Sequence, residues 1–218
     1  MIGIIRVFTT DVQEILEQHG NIIAKTYEVP TVTKCIPDQP LGIFNDETEE
    51  AAIPKIVKLG KELEQEGCHV IVISCAADPA VTELRKEVSV PVIGAGSSAA
   101  LNALAIGEPV GVLGITEQPP AVVKNLLGPL YVGNVRPEGV KNTTDLMSAD
   151  GRKKGLEAAK TLLDQGAKVI LFACTGFSTI GLANVLREEL NVPIIDAVEA
   201  EGMFAAALYK QLAASKVK

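Results

Sequence analysis

The chain has 218 residues, of which 47% are hydrophobic, and a formal net charge of −7. That is enough for one large α/β domain or two small lobes around a sizeable core. The acidic balance, with no basic cluster, argues against nucleic acid and anionic membrane as partners.

The start, "MIGIIRVFTTD", is too short for a secretory signal and runs into a polar turn. No apolar run approaches a membrane span. A soluble cytoplasmic protein is therefore expected, with Cys35, Cys68, Cys75 and Cys174 reduced. "IGIIRVF" reads as a first strand. Segment 30–36, "PTVTKCI", reads as an edge strand, and 37–47 as a loop. Segments 48–66 and 149–165 are apolar at three- and four-residue spacing, with charges on the opposite side, as amphipathic helices are. "HVIVIS", "VPVIG", "PVGVLGI", "KVILFA" and "VPIID" are aliphatic runs without polar alternation, which suits strands covered on both faces by helices. Segment 128–147 shows neither period. The alanine-rich 197–213 reads as a final helix that packs back on the first lobe or meets a second copy in a homo-oligomer. Strand–helix alternation of this kind predicts an α/β fold with mainly parallel sheets.

An internal repeat divides the chain. Gly67, Val70 and Cys75 correspond to Gly166, Val169 and Cys174 at an offset of 99 residues. Leu84 and Pro91 correspond to Leu186 and Pro193 at an offset of 102, so the second copy holds three more residues after its cysteine. Two pseudo-symmetric lobes are expected, each a mainly parallel sheet flanked by helices. Residues 1–95 with 197–218 would form one lobe and 96–196 the other. In open α/β sheets ligands bind beyond the carboxyl ends of strands, which is where Cys75 and Cys174 fall. The site is expected in the cleft between the lobes.

Cysteine is commonly a buried packing residue, and Cys35 and Cys68 read that way. Cys75 and Cys174 differ, because they occupy equivalent strand ends. Helix starts are read at Asp78-Pro79 and Ser178-Thr179, and a helix N-terminus lowers a thiol's pKa. Two thiols across a cleft can remove a proton from one face of a carbon beside a carbonyl and return one to the other face. The backbone N–H groups of Ala76, Ala77, Thr175 and Gly176 are candidate donors to the oxyanion. The chain lacks the CxxC turn of a redox pair and the ligand spacing of a structural zinc site, so no metal or cofactor is expected. His19, on the polar side of the first helical segment, and His69, at a strand entrance, read as surface histidines.

"SCAADPA" (74–80), "PVIGAG" (91–96), "CTGFSTIGLANVLRE" (174–188) and "VPIID" (192–196) resemble the aspartate/glutamate racemase superfamily, and most closely its hydantoin racemase branch. "GIFNDETEEAAIPKI" (42–56) resembles the same branch. The resemblance covers nearly the whole chain. It implies a two-lobed fold, cofactor-independent racemisation and catalytic roles for Cys75 and Cys174. Amino-acid racemases of the superfamily usually follow the first cysteine with Asn-Thr, which helps hold a carboxylate. Ala76-Ala77 stand here, favouring a neutral ring such as a 5-substituted hydantoin. Hydantoin racemases usually show Asn-Pro-Asn-Thr after the first strand, where this chain has Arg6-Val7-Phe8-Thr9-Thr10.

Phe44 and Asn45 come from a loop that can cap the cleft, and Thr116 ends a strand as a candidate substrate hydrogen bond. Ser97 and Ser98 open a helix with hydroxyls and N–H groups towards the cleft. Glu199 and Glu201 read as acids favourable to a helix N-terminus, while Asp196 suits a cap or the site equally. Alternatives remain open. They are an amino-acid racemase, a decarboxylase or cis–trans isomerase of the superfamily, and a non-enzymatic two-lobed sensor. A nicotinamide enzyme is a further one, because "GAGSSA" (94–99) fits a dinucleotide fingerprint with Glu117 beyond it.

Overall fold

The computed structural model describes residues 1–215. It contains two four-stranded sheets, and every strand pairing in both is parallel. The first sheet has β1 (Ile2–Arg6), β2 (Thr31–Cys35), β3 (Val70–Ser74) and β4 (Val92–Gly94), in the order β2-β1-β3-β4. The second has β5 (Val110–Leu113), β6 (Tyr131–Val135), β7 (Val169–Phe172) and β8 (Ile194–Ile195), in the order β6-β5-β7-β8. The same strand order in both halves is the structural form of the sequence repeat.

Helices cover both faces of each sheet, so each sheet has two cores. In the first lobe, α2 (Asp46–Gln65) and α3 (Val81–Glu87) bury Ile56, Leu63 and Leu84 against Ile5, Ile71 and Ile73. On the other face, Ile2, Ile4, Val70 and Val72 pack on α1 (Gln13–Tyr27) and α9 (Ala197–Ser215) through Ile23, Val198, Ala205 and Ala206. In the second lobe, α6 (Gly151–Asp164) and α8 (Leu182–Glu189) cover one face through Ala159, Leu162 and Leu186. The other face is covered by α4 (Ala95–Ile106) and α5 (Ala121–Leu127) through Ala99, Ala103, Val123 and Leu127. Apart from the half-buried edge strands β2 and β6, the strands carry buried side chains on both faces, which is why they read as continuous aliphatic runs.

The repeat reaches into the turns. Gly67 and Gly166 both take positive φ, 88° and 97°, where a long helix ends and the chain turns into the central strand. The second copy's three-residue excess falls where a single four-residue helical turn, α7 (Gly176–Thr179), stands between β7 and α8. Segment 128–147 holds a 3₁₀ turn (Gly128–Leu130), the edge strand β6 and a second 3₁₀ turn (Thr144–Met147). Every residue of β6 is only half-buried, so it has no aliphatic run to betray it.

Candidate active site

β1 and β3 lie in register with Arg6 opposite Ser74, and Cys75 follows at the strand end. Cys174 lies beyond the end of β7, two residues after Phe172. Both thiols line one cavity of about 480 Å³ between the lobes. Its walls mix apolar side chains, among them Val7, Phe8, Ile43, Phe44, Ile115 and Pro119, with polar ones from Arg6, Asn45, Asp46, Glu49, Ser74, Thr116, Gln118, Thr143 and Thr175.

Of the sequence candidates, Cys75, Cys174, Phe44, Asn45, Ala76, Ala77, Thr116, Thr175 and Gly176 all line this cavity. Phe44 leaves the first lobe to pack on the core of the second, so its loop spans the cleft. Asn45 accepts from the Thr48 amide at 2.9 Å as the N-cap of α2, which commits its carbonyl and leaves its amide nitrogen. The Thr116 hydroxyl donates to the Gln118 carbonyl at 2.6 Å. The Thr175 hydroxyl donates to the Ser74 carbonyl at 3.1 Å.

Ser97 is not among the residues that line the cavity, and the expectation for it is corrected. Its amide and that of Gly96 donate to the Asp78 carboxylate at 2.9 and 2.6 Å. Its hydroxyl and that of Ser98 turn back to the Gly94 carbonyl. Asp78 therefore caps α4, while α3 starts only at Val81. The glycines of "GAGSSA" have a packing cause: a Cβ on Gly94 would meet the Asp78 carboxylate, and one on Gly96 would meet the Ala76 carbonyl.

The second lobe solves the same problem from the opposite side. Asp196, which corresponds to Gly94 in the repeat, supplies its own carboxylate to the start of α9. It accepts from the Val198 and Glu199 amides at 2.8 and 3.3 Å and from the Ser178 hydroxyl at 2.6 Å. Asp196 is thus a cap. Ser178 and Thr179 lie within α7 and do not open a helix with their side chains.

The thiols also correct an expectation. Burial pushes both upward, against the helix-terminus effect. Cys75 rises furthest, because Cys174, Asp78 and Glu49 add negative charge to its burial, opposed by the Ala77 amide. Cys174 is pushed up to about 11 by burial, opposed by the Gly176 amide, the Thr143 hydroxyl and the Arg6 guanidinium. The Gly176 amide donates to Cys174 Sγ at 3.4 Å. The amides expected to serve an oxyanion thus include two that are turned to the sulfurs.

From Arg6 and Ser74 at the cavity wall a buried polar chain runs inward that the sequence reading missed. Arg6 is 2% exposed and His19, Glu201 and Ser74 are equally enclosed. Arg6 Nη2 donates to Thr179 Oγ1 at 3.3 Å. His19 Nε2 meets the same hydroxyl at 2.9 Å, and His19 Nδ1 meets Ser74 Oγ at 2.8 Å. Ser74 donates to Glu201 Oε1 at 2.5 Å. With Ser74 donating, it accepts from His19 Nδ1–H, which leaves Nε2 to accept from Thr179. His19 is therefore a core residue and not a surface one. Burial and the Arg6 charge hold its pKa well below the usual histidine range. Glu201 is not an exposed helix-end acid; burial raises its pKa well above the carboxylate range. A single sequence offers no signal for such a chain, since its members are scattered over α1, β1, β3, α7 and α9.

Among the described residues, no three His, Cys, Asp or Glu side chains gather as a metal-holding group, and no helix is long and apolar enough to cross a membrane.

A pair of parallel-sheet lobes with a thiol from each in one cleft defines a two-lobed α/β protein with its candidate site between the lobes. Residues 8–202 match the sequence profile described as Asp/Glu/Hydantoin racemase. The chain belongs to that racemase family and is an isomerase. It is 27% identical over 172 residues to the hydantoin racemase of Pseudomonas sp. (strain NS671), spanning 76% of this chain and 68% of that one. Its fold is similar to that of the allantoin racemase from Klebsiella pneumoniae, with TM-score 0.79, 22% identity and coverage of 96% and 87%. A glutamate racemase from Bacillus anthracis gives TM-score 0.70 at 15% identity, with coverage of 97% and 82%.

Proposed function

We propose that the enzyme racemises 5-substituted hydantoins, or closely related neutral cyclic ureides, with Cys75 and Cys174 as acid and base on opposite faces of the ring. One observation carries this reading: equivalent strand ends of the two lobes deliver both thiols to one cavity. One sulfur, as thiolate, takes the C5 proton and becomes a thiol. The other, as thiol, gives its proton to the opposite face and becomes the thiolate. The C5–H electron pair rests meanwhile on the adjacent carbonyl oxygen as an enolate. Burial opposes two simultaneous charges, so the resting pair holds one proton and one thiolate when active. Ala76 and Ala77 supply no side-chain donors for a substrate carboxylate, and a relative of this chain is named a hydantoin racemase.

The test is racemisation and C5 proton exchange of a chiral 5-monosubstituted hydantoin in deuterated water. Cys75→Ser and Cys174→Ser should each abolish racemisation, while each retains exchange of one enantiomer at most. Full racemase activity in either variant overturns the two-thiol reading. Faster turnover of free aspartate or glutamate overturns the substrate.

A further inference from the structure

Two of the four backbone amides that were expected to take the substrate's charge are already committed. Gly176 and Ala77 direct their N–H groups to the sulfurs. A different donor faces the cavity. Arg6 lines it while being 2% exposed. Its Nη1 donates to the Ile15 and Leu16 carbonyls at 2.6 and 3.3 Å, and its Nη2 donates to Thr179. A guanidinium has five N–H donors. These bonds use three, so Nε and one Nη2 hydrogen have no acceptor among the described residues. No carboxylate lies within ion-pair distance of Arg6 among them either. A buried cation without an ion pair is expensive to hold, and α1 carbonyls and Thr179 fix this one in place at the wall beside Cys174.

We propose that Arg6 is the electrophilic donor that takes up the negative charge developing on the substrate carbonyl oxygen as the C5 proton leaves. The inference rests on the racemase reading above and adds the residue that stabilises its enolate. Arg6 donates one or two hydrogen bonds to that oxygen and keeps its own proton. The electron pair returns to carbon when the second thiol delivers its proton. A preorganised donor in a water-poor site favours the charged intermediate over the neutral ground state, so its effect falls on kcat. The same guanidinium could instead hold a substrate carboxylate, which is charged in the ground state, and that role would fall on KM.

The experiment measures kcat and KM for Arg6→Ala, Arg6→Gln and Arg6→Lys with a 5-monosubstituted hydantoin, or with whichever substrate class the wild type turns over. Cys75→Ser and Cys174→Ser are run alongside. Circular dichroism and urea unfolding report the fold of each variant. Arg6→Ala should lose about 10²–10³-fold in kcat, with KM within about threefold. Arg6→Lys should keep more activity than Arg6→Gln, and millimolar methylguanidinium should restore part of the turnover of Arg6→Ala. If Arg6→Ala does not fold, Arg6→Gln is judged by the same kcat and KM criteria. A kcat within threefold of wild type, or a rise in KM alone, overturns the proposal. So does a folded variant that is inactive, is not restored by methylguanidinium and is matched by an equally inactive Arg6→Lys, since Arg6 would then only anchor α1. Active cysteine variants defeat the two-thiol reading whatever Arg6 does. Inactive cysteine variants beside fully active Arg6 variants defeat this proposal alone.

Discussion

The hydroxyl of Thr175 donates to the carbonyl of Ser74 across 3.1 Å in a buried setting. Thr175 follows one thiol of the cleft and Ser74 precedes the other. The bond therefore joins the two cysteine turns at the residues next to the sulfurs. Thr179, one helical turn on, adds a second tie through Arg6, His19 and the Gln18 amide, which reaches the Thr179 carbonyl at 2.6 Å.

Thr175→Val removes the hydroxyl while keeping the branched shape. One buried neutral hydrogen bond contributes about 1 kcal/mol, so urea unfolding should show a loss of that order. Catalysis should suffer more, because small misplacements of reacting groups reduce rates steeply. A fall of about tenfold in kcat is expected. Unchanged turnover in a variant destabilised by the expected amount would show that this bond does not set the spacing of the turns.

Glu201 makes a pH prediction. It is fully enclosed, accepts from Ser74 on Oε1, and its Oε2 has no hydrogen-bond partner among the described residues. Burial, with Asp196 and Asp78 nearby, raises its pKa, and Ser74 and Arg6 oppose the rise. Above the ordinary carboxylate pKa the folded state keeps a proton that the unfolded chain has released. Stability from this group is therefore complete at low pH and is lost as pH rises through the folded value. His19 acts in the other direction, since its depressed pKa costs stability as pH falls below the ordinary histidine value. Glu201→Gln leaves His19 in place and removes only the first slope. Measured from pH 5 to 9, the variant should gain on the wild type as pH rises. Parallel curves would mean that Glu201 is ionised in the fold.

The repeat made the architecture legible. Two aliphatic strands ending in cysteine, at a constant offset, implied two equal lobes with thiols at the same place in each. Hydrophobicity is a local signal, and it located the six aliphatic strands, while the half-buried edge strand β2 was read from its alternating Thr and Val. β6, the matching edge strand of the second sheet, escaped because "GN" interrupts its β-branched pattern. The cavity wall was partly legible: Phe44, Asn45 and Thr116 reach it, whereas the Ser97 amide is taken by Asp78 and the Ser97 and Ser98 hydroxyls by the Gly94 carbonyl. What the sequence could not show was which polar residues are buried. Arg6, His19 and Glu201 look like ordinary surface charges in the chain, and only tertiary closure brings them together.

Gly94 tests the pseudo-symmetric capping. In the first lobe the carboxylate at the start of α4 comes from Asp78, in the turn after β3, and Gly94 leaves room for it. In the second lobe the strand-end residue Asp196 carries the carboxylate, and the facing residue is Ser178. Gly94→Ala puts a methyl group into the Asp78 carboxylate and should cost about 1–3 kcal/mol, as overpacking does. Asp78→Ser alone should also destabilise, by about 1 kcal/mol for a weakened cap. The double variant should lose less than the sum, because the methyl group then meets a smaller side chain. Additive losses in unfolding experiments would refute the steric account.

Thr143 is the residue by which the cavity tunes one thiol. It comes from the loop before the second 3₁₀ turn, and its amide reaches across to the Leu41 carbonyl at 3.4 Å. Its hydroxyl is one of the groups holding the Cys174 pKa down, with the Gly176 amide and Arg6, against burial that lifts it to about 11. Thr143→Val removes that donor, so the pKa rises further and less thiolate is present at any pH below it. A hydrogen bond to a charged group is worth about 1.5–3 kcal/mol, which corresponds to a loss of roughly 10–100-fold in kcat/KM near neutrality. Enantiomers have equal free energies, so kcat/KM must fall equally in both directions. Raising the pH should recover more activity in the variant than in the wild type, because the limb set by thiolate formation, the rising acidic limb, moves to higher pH. Thr143→Ser keeps the donor and should stay close to wild type. A valine variant that loses activity with an unshifted pH profile would place Thr143 in shaping the cavity and not in tuning the thiol.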